Sequence, residues 1–491
     1  MKNNALNKIV KTSVVWSVTI KLVQQVFSLA ITLYVARILG PKEFGIMAIG
    51  MALIVYLNSI TSFGMNSSIV NKESINDTHI DALFTFNLFL SICLLIVCNL
   101  FNGQIALLLN SPGLVSILPV LSLIIPLSTF YNLPMALLRR QMNFKGHAVI
   151  DFCQYSFVSL VMLLLATNGF GIWSLVYAQI SGYVIAFFML LWYSKWRPRL
   201  CFRISPLEGL ISYGSWEMIR YNVYYFENYA SYLIISNGIN STALGLYDRA
   251  IAFAMLPDRT IQTPLYAVLF STFSIIKNDS SRLLHAFKRA LTAYGIVMMP
   301  IMTGMALVCE DFVALILGNA WVTMVPTLRI LCLAGLFRMI RGLFQNLNLC
   351  NHNYKKQTAV EIIFMIINII LCFVGVRHGI EGVALAIVIT SFISLVVNIR
   401  LVILTYNLKL NDIIIPLVPG FTGSVLMAFT VLLIQNTSLI SNTFFSLSTQ
   451  VLVGLLVYFT WQTIGPFDLS RTFISDVLGT KLNLPEEETV K

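Results

Sequence analysis

The sequence predicts an all-α polytopic membrane protein of about 14 transmembrane helices, built as two parallel-repeated six-helix lobes around a central cavity plus two C-terminal helices. Three observations predict it: a membrane-like composition, apolar runs of helix-crossing length, and an internal repeat. The 491 residues are 57% hydrophobic and 11% charged, with a mean hydropathy of +0.82. A soluble chain carries about 25% charged residues. The apolar runs are about 20 residues long, as a helix needs to cross hydrocarbon, whereas barrel strands alternate over about 10.

Taken in order, the runs are 14–36, 44–63, 82–101, 114–134, 148–167, 171–193, 211–236, 246–272, 289–309, 324–348, 358–376, 380–404, 413–434 and 447–464. The first follows Lys2, Lys8 and Lys11 and resembles a signal, but it is too long for one and lacks a small-residue cleavage site, so it reads as an uncleaved helix. The seventh and eighth are weak on hydropathy because they carry Glu217, Arg220, Glu227, Asp248, Arg249, Asp258 and Arg259. With the N-terminus inside, the inner segments hold 22 Lys and Arg and the outer ones only Arg37, Lys42 and Arg377. That bias is the positive-inside rule at work. It puts both termini on the cytoplasmic side and accounts for most of the +11 net charge, so no nucleic-acid partner is needed.

The repeat supports the weak seventh and eighth spans. ARILGPKEFGIM (36–47) lies over SNGINSTALGLY (236–247) at an offset of 200, with Gly45 on Gly245. VSILPVLSLIIPLSTF (115–130) lies over VTMVPTLRILCLAGLF (322–337), and QMNFKGHAVID (141–151) over NHNYKKQTAVE (351–361). Spans 7–12 therefore repeat spans 1–6 about an axis along the membrane normal. The expected divisions are an N-terminal lobe at 1–194, a cytoplasmic linker at 195–210, a C-terminal lobe at 211–406, two additional helices at 407–466 and a cytoplasmic tail at 467–491.

Candidate function lies in charges at membrane depth, which are costly unless they face protein or water. Removing the loop charges leaves Lys21, Arg220, Arg249, Arg259, Arg329, Arg338 and Arg341 against Glu217, Glu227, Asp248 and Asp258. Because arginine stays charged, this surplus points to a cationic cavity for an anionic or phosphate-bearing cargo. Arg220, Arg259 and Arg338 are the leading candidates, with Lys21 added from the first lobe. Arg249, Arg329 and Arg341 lie near span ends, where a cation can snorkel to headgroups.

At about 100° per residue, Tyr213, Glu217, Arg220, Tyr224, Glu227 and Ser231 share one face of span 7. Asp248, Met255, Arg259, Gln262 and Tyr266 share one of span 8. Tyr224 is the sugar-facing candidate and Gln262 a further cavity contact; Glu217 either joins Arg220 in a salt bridge or takes part in ion coupling. Glu227 and Asp258 are the main candidates for coupling to a proton or cation gradient. Pro257 and Pro264 bracket Arg259 and permit a bend.

Catalytic and metal constellations are not readable. There is no P-loop, G-x-S-x-G or C-x-x-C, the eight cysteines are scattered, the five histidines stand singly, and Glu310-Asp311 reads as a solvated outer pair. No cofactor and no enzymatic activity are expected.

The segments KTSVVWS, YVARILGPKEFGIMAIG, FGMNSSIV and ALGLYDRAIAFAMLPDRTIQTPLYAVLFSTFSIIKND resemble the Wzx-type polysaccharide flippases, nearest the colanic acid exporter branch of the multidrug/oligosaccharidyl-lipid/polysaccharide exporter superfamily. The resemblance covers roughly residues 5–405. It implies a V of two lobes and transfer of an undecaprenyl-pyrophosphate-linked oligosaccharide from the cytoplasmic to the periplasmic leaflet. It also implies membrane lipids as surroundings and a polysaccharide polymerase with its chain-length machinery as partners. Two rivals stand beside it. A cation-coupled drug antiporter of the same architecture would prefer an acidic cavity. A membrane glycan polymerase or ligase would carry a large charged outer loop.

Overall fold

The computed structural model describes residues 2–62, 69, 75–141, 143–194, 197–203, 208–277, 279–350, 354–436 and 443–466. Every regular element among them is helical. Ten stretches are long and apolar enough to cross a membrane, two of them (Leu114–Arg140 and Lys356–Tyr406) holding two consecutive α-helices. The tail at 467–491 lies outside the described residues, as do parts of the 195–210 linker.

The chain forms two compact units, Met1–Asp248 and Arg249–Lys491. The first begins with α1 (Lys2–Leu39) and α2 (Pro41–Ser62), separated by Gly40 at φ +87°. A left-handed glycine followed by a first-position proline ends one helix and starts the next. After α3 (Asp77–Leu100) and the short α4 (Asn102–Leu108), the fourth expected span divides into α5 (Leu114–Leu121) and α6 (Ile124–Arg140). The break at Ser122–Leu123 follows from Pro126, whose missing amide leaves the Ser122 carbonyl without its helical donor. α7 (Phe144–Thr167) starts where Asn143 Oδ1 accepts the Gly146 amide at 3.0 Å. α8 (Trp173–Tyr193) and α9 (Glu208–Gly238) follow, and then α10 (Ser241–Ala254), whose first turns lie in this unit.

The core of the first unit is aliphatic and aromatic. Leu83, Phe84, Leu133 and Leu137 form one cluster, with Phe130 edge-on to Phe84 at 5.2 Å; Met135, Leu138, Ile150, Ala186 and Leu190 form another. The expected linker precedes α9, yet α9 belongs to the compact first unit. It packs on α2, and the buried Tyr225 donates to the Ala52 carbonyl at 3.0 Å. Compactness and repeat thus divide the chain at different places.

The repeat-related glycines meet. A side chain at Gly45 would collide with the Ser241 carbonyl and lie 2.9 Å from the Gly245 amide. One at Gly245 would collide with the Pro41 carbonyl and lie 2.9 Å from the Gly45 amide. Only glycine allows α2 and α10 this backbone approach.

In the second unit, α10 ends at Ala254, a π-turn spans Asp258–Gln262, and α11 (Thr263–Ile276) continues. α12 (Ser280–Ile316) starts on the Asp279 cap, and α13 (Val325–Cys350) follows a 3-10 turn. α14 (Tyr354–Gly375) and α15 (Gly379–Tyr406) come next, then α16 (Asn411–Asn436) and α17 (Thr443–Ile464). The last two dock on α12. Tyr458 donates to the Ile296 carbonyl at 2.7 Å, and Gln450 and Ser446 each donate to Asp311 Oδ2 at 2.8 Å. Asp311 is therefore a docking point rather than a solvated loop residue, and Glu310 holds Arg329 Nη2 at 3.0 Å.

α12, α16 and α17 enclose an apolar cavity of about 630 Å³ lined by Pro300, Gly304, Met427, Gly454 and Tyr458 among others.

Candidate functional site

The interrupted helix of the second unit builds the principal site. Pro257 and Pro264 each lack an amide, so the α-helical ladder cannot run unbroken between them. The chain answers with the π-turn at Asp258–Gln262. Such turns add a residue to the helix and rotate everything after it.

Part of the face read from sequence is closed. Gln262 is 1% exposed, and its Nε2 donates to the Met339 carbonyl at 3.1 Å and to the Tyr266 hydroxyl. It is an anchor for the turn, not a surface open to cargo. Gly342 on α13 provides the seat, since a side chain there would occupy the position of the Tyr266 hydroxyl. Met255 is likewise buried.

With Gln262 held inside, Arg259 is exposed, and its guanidinium makes no hydrogen bond or salt bridge with the described residues. Arg338 and Arg341, about one turn apart on α13, act with Arg259 on the half-buried Asp258. Three guanidinium groups thus lie within electrostatic reach of one carboxylate. Arg341 reaches this group although sequence position places it near a span end; its Nη1 donates to Ser394 Oγ on α15 at 3.2 Å. The buried Tyr294, on α12, also lies within electrostatic reach of Asp258 and Tyr266, and its hydroxyl has no partner among the described residues. Nothing in span 9 singled it out, because a lone tyrosine in an apolar run reads as core.

In the first unit, Arg220 Nη1 and Glu217 Oε1 form an i, i+3 salt bridge at 3.1 Å. Both are partly open, the side chains 47% and 25% exposed, so the pair adds at most about 1 kcal/mol. Tyr224 is open at 60% exposure. The rest of the expected face closes: Glu227 is half-buried, and Ser231 accepts from the Tyr247 hydroxyl at 3.0 Å. Tyr225 and Tyr229 stack at 5.0 Å, and Tyr232 donates to Asp248 Oδ1 at 2.9 Å, so these rings serve packing. Lys21 stands exposed on α1, and the side chain of Tyr213 lies outside the described residues.

Two further carboxylates, missed by sequence reasoning, stand at aligned positions of the repeat, Asp151 and Glu361. Asp151 accepts from Tyr131 at 2.8 Å and faces His147 at 3.2 Å; Glu361 accepts from Gln345 and, at 3.4 Å, Gln357.

Residues 34–326 match the model of a family described as polysaccharide biosynthesis protein. The chain belongs to that family. Among curated relatives of this family type, it is 27% identical over 328 residues to the succinoglycan biosynthesis transport protein ExoT of Rhizobium meliloti (strain 1021). It is 24% identical over 314 residues to the lipopolysaccharide biosynthesis protein WzxC of Escherichia coli (strain K12). These matches cover 67% and 62% of this chain but only 66% and 62% of the relatives' own lengths. In fold, the chain is similar to the lipid II flippase MurJ in an inward closed conformation, with TM-score 0.77, 16% identity, and coverage of 94% of this chain and 100% of that one. An inward-facing multidrug resistance MATE family transporter of the MOP superfamily follows at TM-score 0.63 and 15% identity, covering 78% of this chain and 94% of its own. The family and the helical transporter fold agree with the architecture expected from the sequence.

Proposed function

We propose that this chain is a flippase for an undecaprenyl-pyrophosphate-linked oligosaccharide, carrying it from the cytoplasmic to the periplasmic leaflet for surface polysaccharide export. The observation that carries this reading is the grouping of Arg259, Arg338 and Arg341 about a single carboxylate, Asp258, on an interrupted membrane helix. A net cationic group at membrane depth suits a cargo that brings its own negative charge, and bidentate guanidinium groups suit pyrophosphate oxygens. The family membership and the similarity to a succinoglycan biosynthesis transport protein point the same way. The apolar cavity on α12, α16 and α17 offers the isoprenoid chain a place, each buried methylene contributing about 0.8 kcal/mol. Transport proceeds by alternating access, with both termini cytoplasmic and Asp258 or Glu227 coupling the cycle to a proton or cation gradient. The rival drug antiporter is disfavoured by the cationic grouping.

The test is export complementation by Arg259→Ala and Arg259→Lys, with membrane abundance measured for each. Loss of surface polysaccharide in the alanine variant at normal abundance, with partial recovery in the lysine variant, is the expected result. Full export by both would remove Arg259 from the mechanism.

A further inference from the structure

The first unit holds a second polar cluster that the cationic group does not use. α7 places His147, Asp151 and Tyr155 on one stripe at four-residue spacing. Arg139 Nε, in the last turn of α6, donates to His147 Nε2 at 3.0 Å. With that nitrogen accepting, His147 carries its proton on Nδ1, which faces Asp151 Oδ2 at 3.2 Å. The Tyr131 hydroxyl donates to the other oxygen, Oδ1, at 2.8 Å. Tyr183 of α8 meets the Tyr131 ring edge-on at 5.8 Å and 85°. Tyr155 (49% exposed) and Tyr221 of α9 lie within electrostatic reach of Tyr183.

This arrangement has the parts of a carbohydrate site. An ionised carboxylate offers about four lone-pair directions, of which Tyr131 and His147 use two. Asp151 is held by two elements, remains 25% exposed, and keeps capacity for two more donors. A carboxylate turned toward hydrocarbon would be costly, so this stripe of α7 faces protein or water. Tyrosine rings beside it supply flat apolar surface for the C–H face of a sugar, with hydroxyls at the edge. The repeat sharpens the contrast. Asp151 corresponds to Glu361 and His147 to Gln357. Glu361 is taken by the amides of Gln345 and Gln357, and the latter is buried and turned to Asn398. Glu361 accepts from two amides, whereas Asp151 accepts from a tyrosine and faces a histidine.

We propose that Asp151, with Tyr131, His147, Tyr155, Tyr183 and Tyr221, forms a glycan subsite in which Asp151 accepts two neighbouring hydroxyls of a sugar ring resting on tyrosine. This rests on the lipid-linked glycan reading above and concerns the sugar, not the pyrophosphate.

The experiment measures binding to the full-length protein in nanodiscs with two probes. One is the lipid-linked oligosaccharide extracted from polymerase-deficient source cells; the other is undecaprenyl pyrophosphate without sugar. The readout is the ratio of the two affinities. The wild type is expected to favour the glycosylated probe about tenfold or more, and Asp151→Asn and Tyr155→Ala to erase most of that margin while leaving the bare probe unchanged. Tyr155 is half exposed, so its substitution leaves the fold intact even if Asp151→Asn does not. No wild-type preference for the glycosylated probe, or an equal weakening of both probes in the two variants, overturns the subsite. Arg259→Ala is the separate control: it should weaken both probes alike, and if it weakens neither, the pyrophosphate reading fails while the affinity ratio still decides the subsite.

Discussion

Gln262 and Arg341 exchanged the roles that sequence position implies for them. Counting about 100° per residue from Asp248 puts Gln262 on the face of Arg259. In the structure it points inward, like Met255 on the same counted face, and donates to the Met339 carbonyl. Periodicity could locate the prolines but not what the chain would do between them. Arg341 read as an end-lying cation from its place in span 324–348; in the structure, where that helix ends within two residues of the expectation, it bonds Ser394 and lies within electrostatic reach of Asp258. Gly342 was not distinguished in sequence at all, since its importance lies wholly in what packs against it. Gly342→Ala should displace the Tyr266 hydroxyl and loosen the Gln262 anchor, costing about 1–3 kcal/mol as overpacking does. Thermal unfolding of the purified variant would register this as a lowered melting temperature. An unchanged melting temperature with wild-type export would mean the seat is dispensable.

At the level of elements, most of what is observed was legible because its cause is local. Length and hydropathy marked most of the spans, though 14–36, 211–236 and 246–272 are not among the ten apolar stretches of the structure, and proline marked the break in the eighth. The last two helices were legible as spans but not in their packing. Their partner α12 is specified by scattered groups (Asp311, Gly295, Ile296) that carry no periodic signal. The apolar cavity they form yields a prediction. A side chain at Gly304 would meet only Met427 Cε, at 3.8 Å, so Gly304→Leu fills the cavity without moving backbone. Export should fall while abundance and melting temperature stay level; if export is unaffected, the isoprenoid chain does not use this cavity. The asymmetry of the candidate site was also only half visible. The arginines stood out as charges, whereas Asp151 lay inside a quoted repeat block and passed as alignment rather than chemistry.

Over the whole molecule, the orientation follows from where basic residues were spent. If the inner assignment of the Arg139–Lys145 connection is right, a single cysteine at Lys145 in a cysteine-free background should react with membrane-impermeant maleimide only from the cytoplasmic side. A single cysteine at Gly40 should react from the opposite side. Labelling of both from the same face would overturn the fourteen-span topology, because Gly40 and Lys145 are separated by an odd number of the expected crossings. The division into lobes was read from the repeat, which records ancestry, while compactness records present packing; α9 belongs to the second half by the first criterion and to the first unit by the other.

The approach of Gly45 to Gly245 also bears on history. Pro41 corresponds to Ser241 and Gly45 to Gly245, and each glycine abuts the other's counterpart carbonyl. That reciprocity is the signature of an isologous interface, in which one patch meets its own copy across a two-fold axis. Before duplication, the same glycine would have faced itself in a homodimer of six-helix chains. Fusion of two such chains would carry that contact into a single molecule.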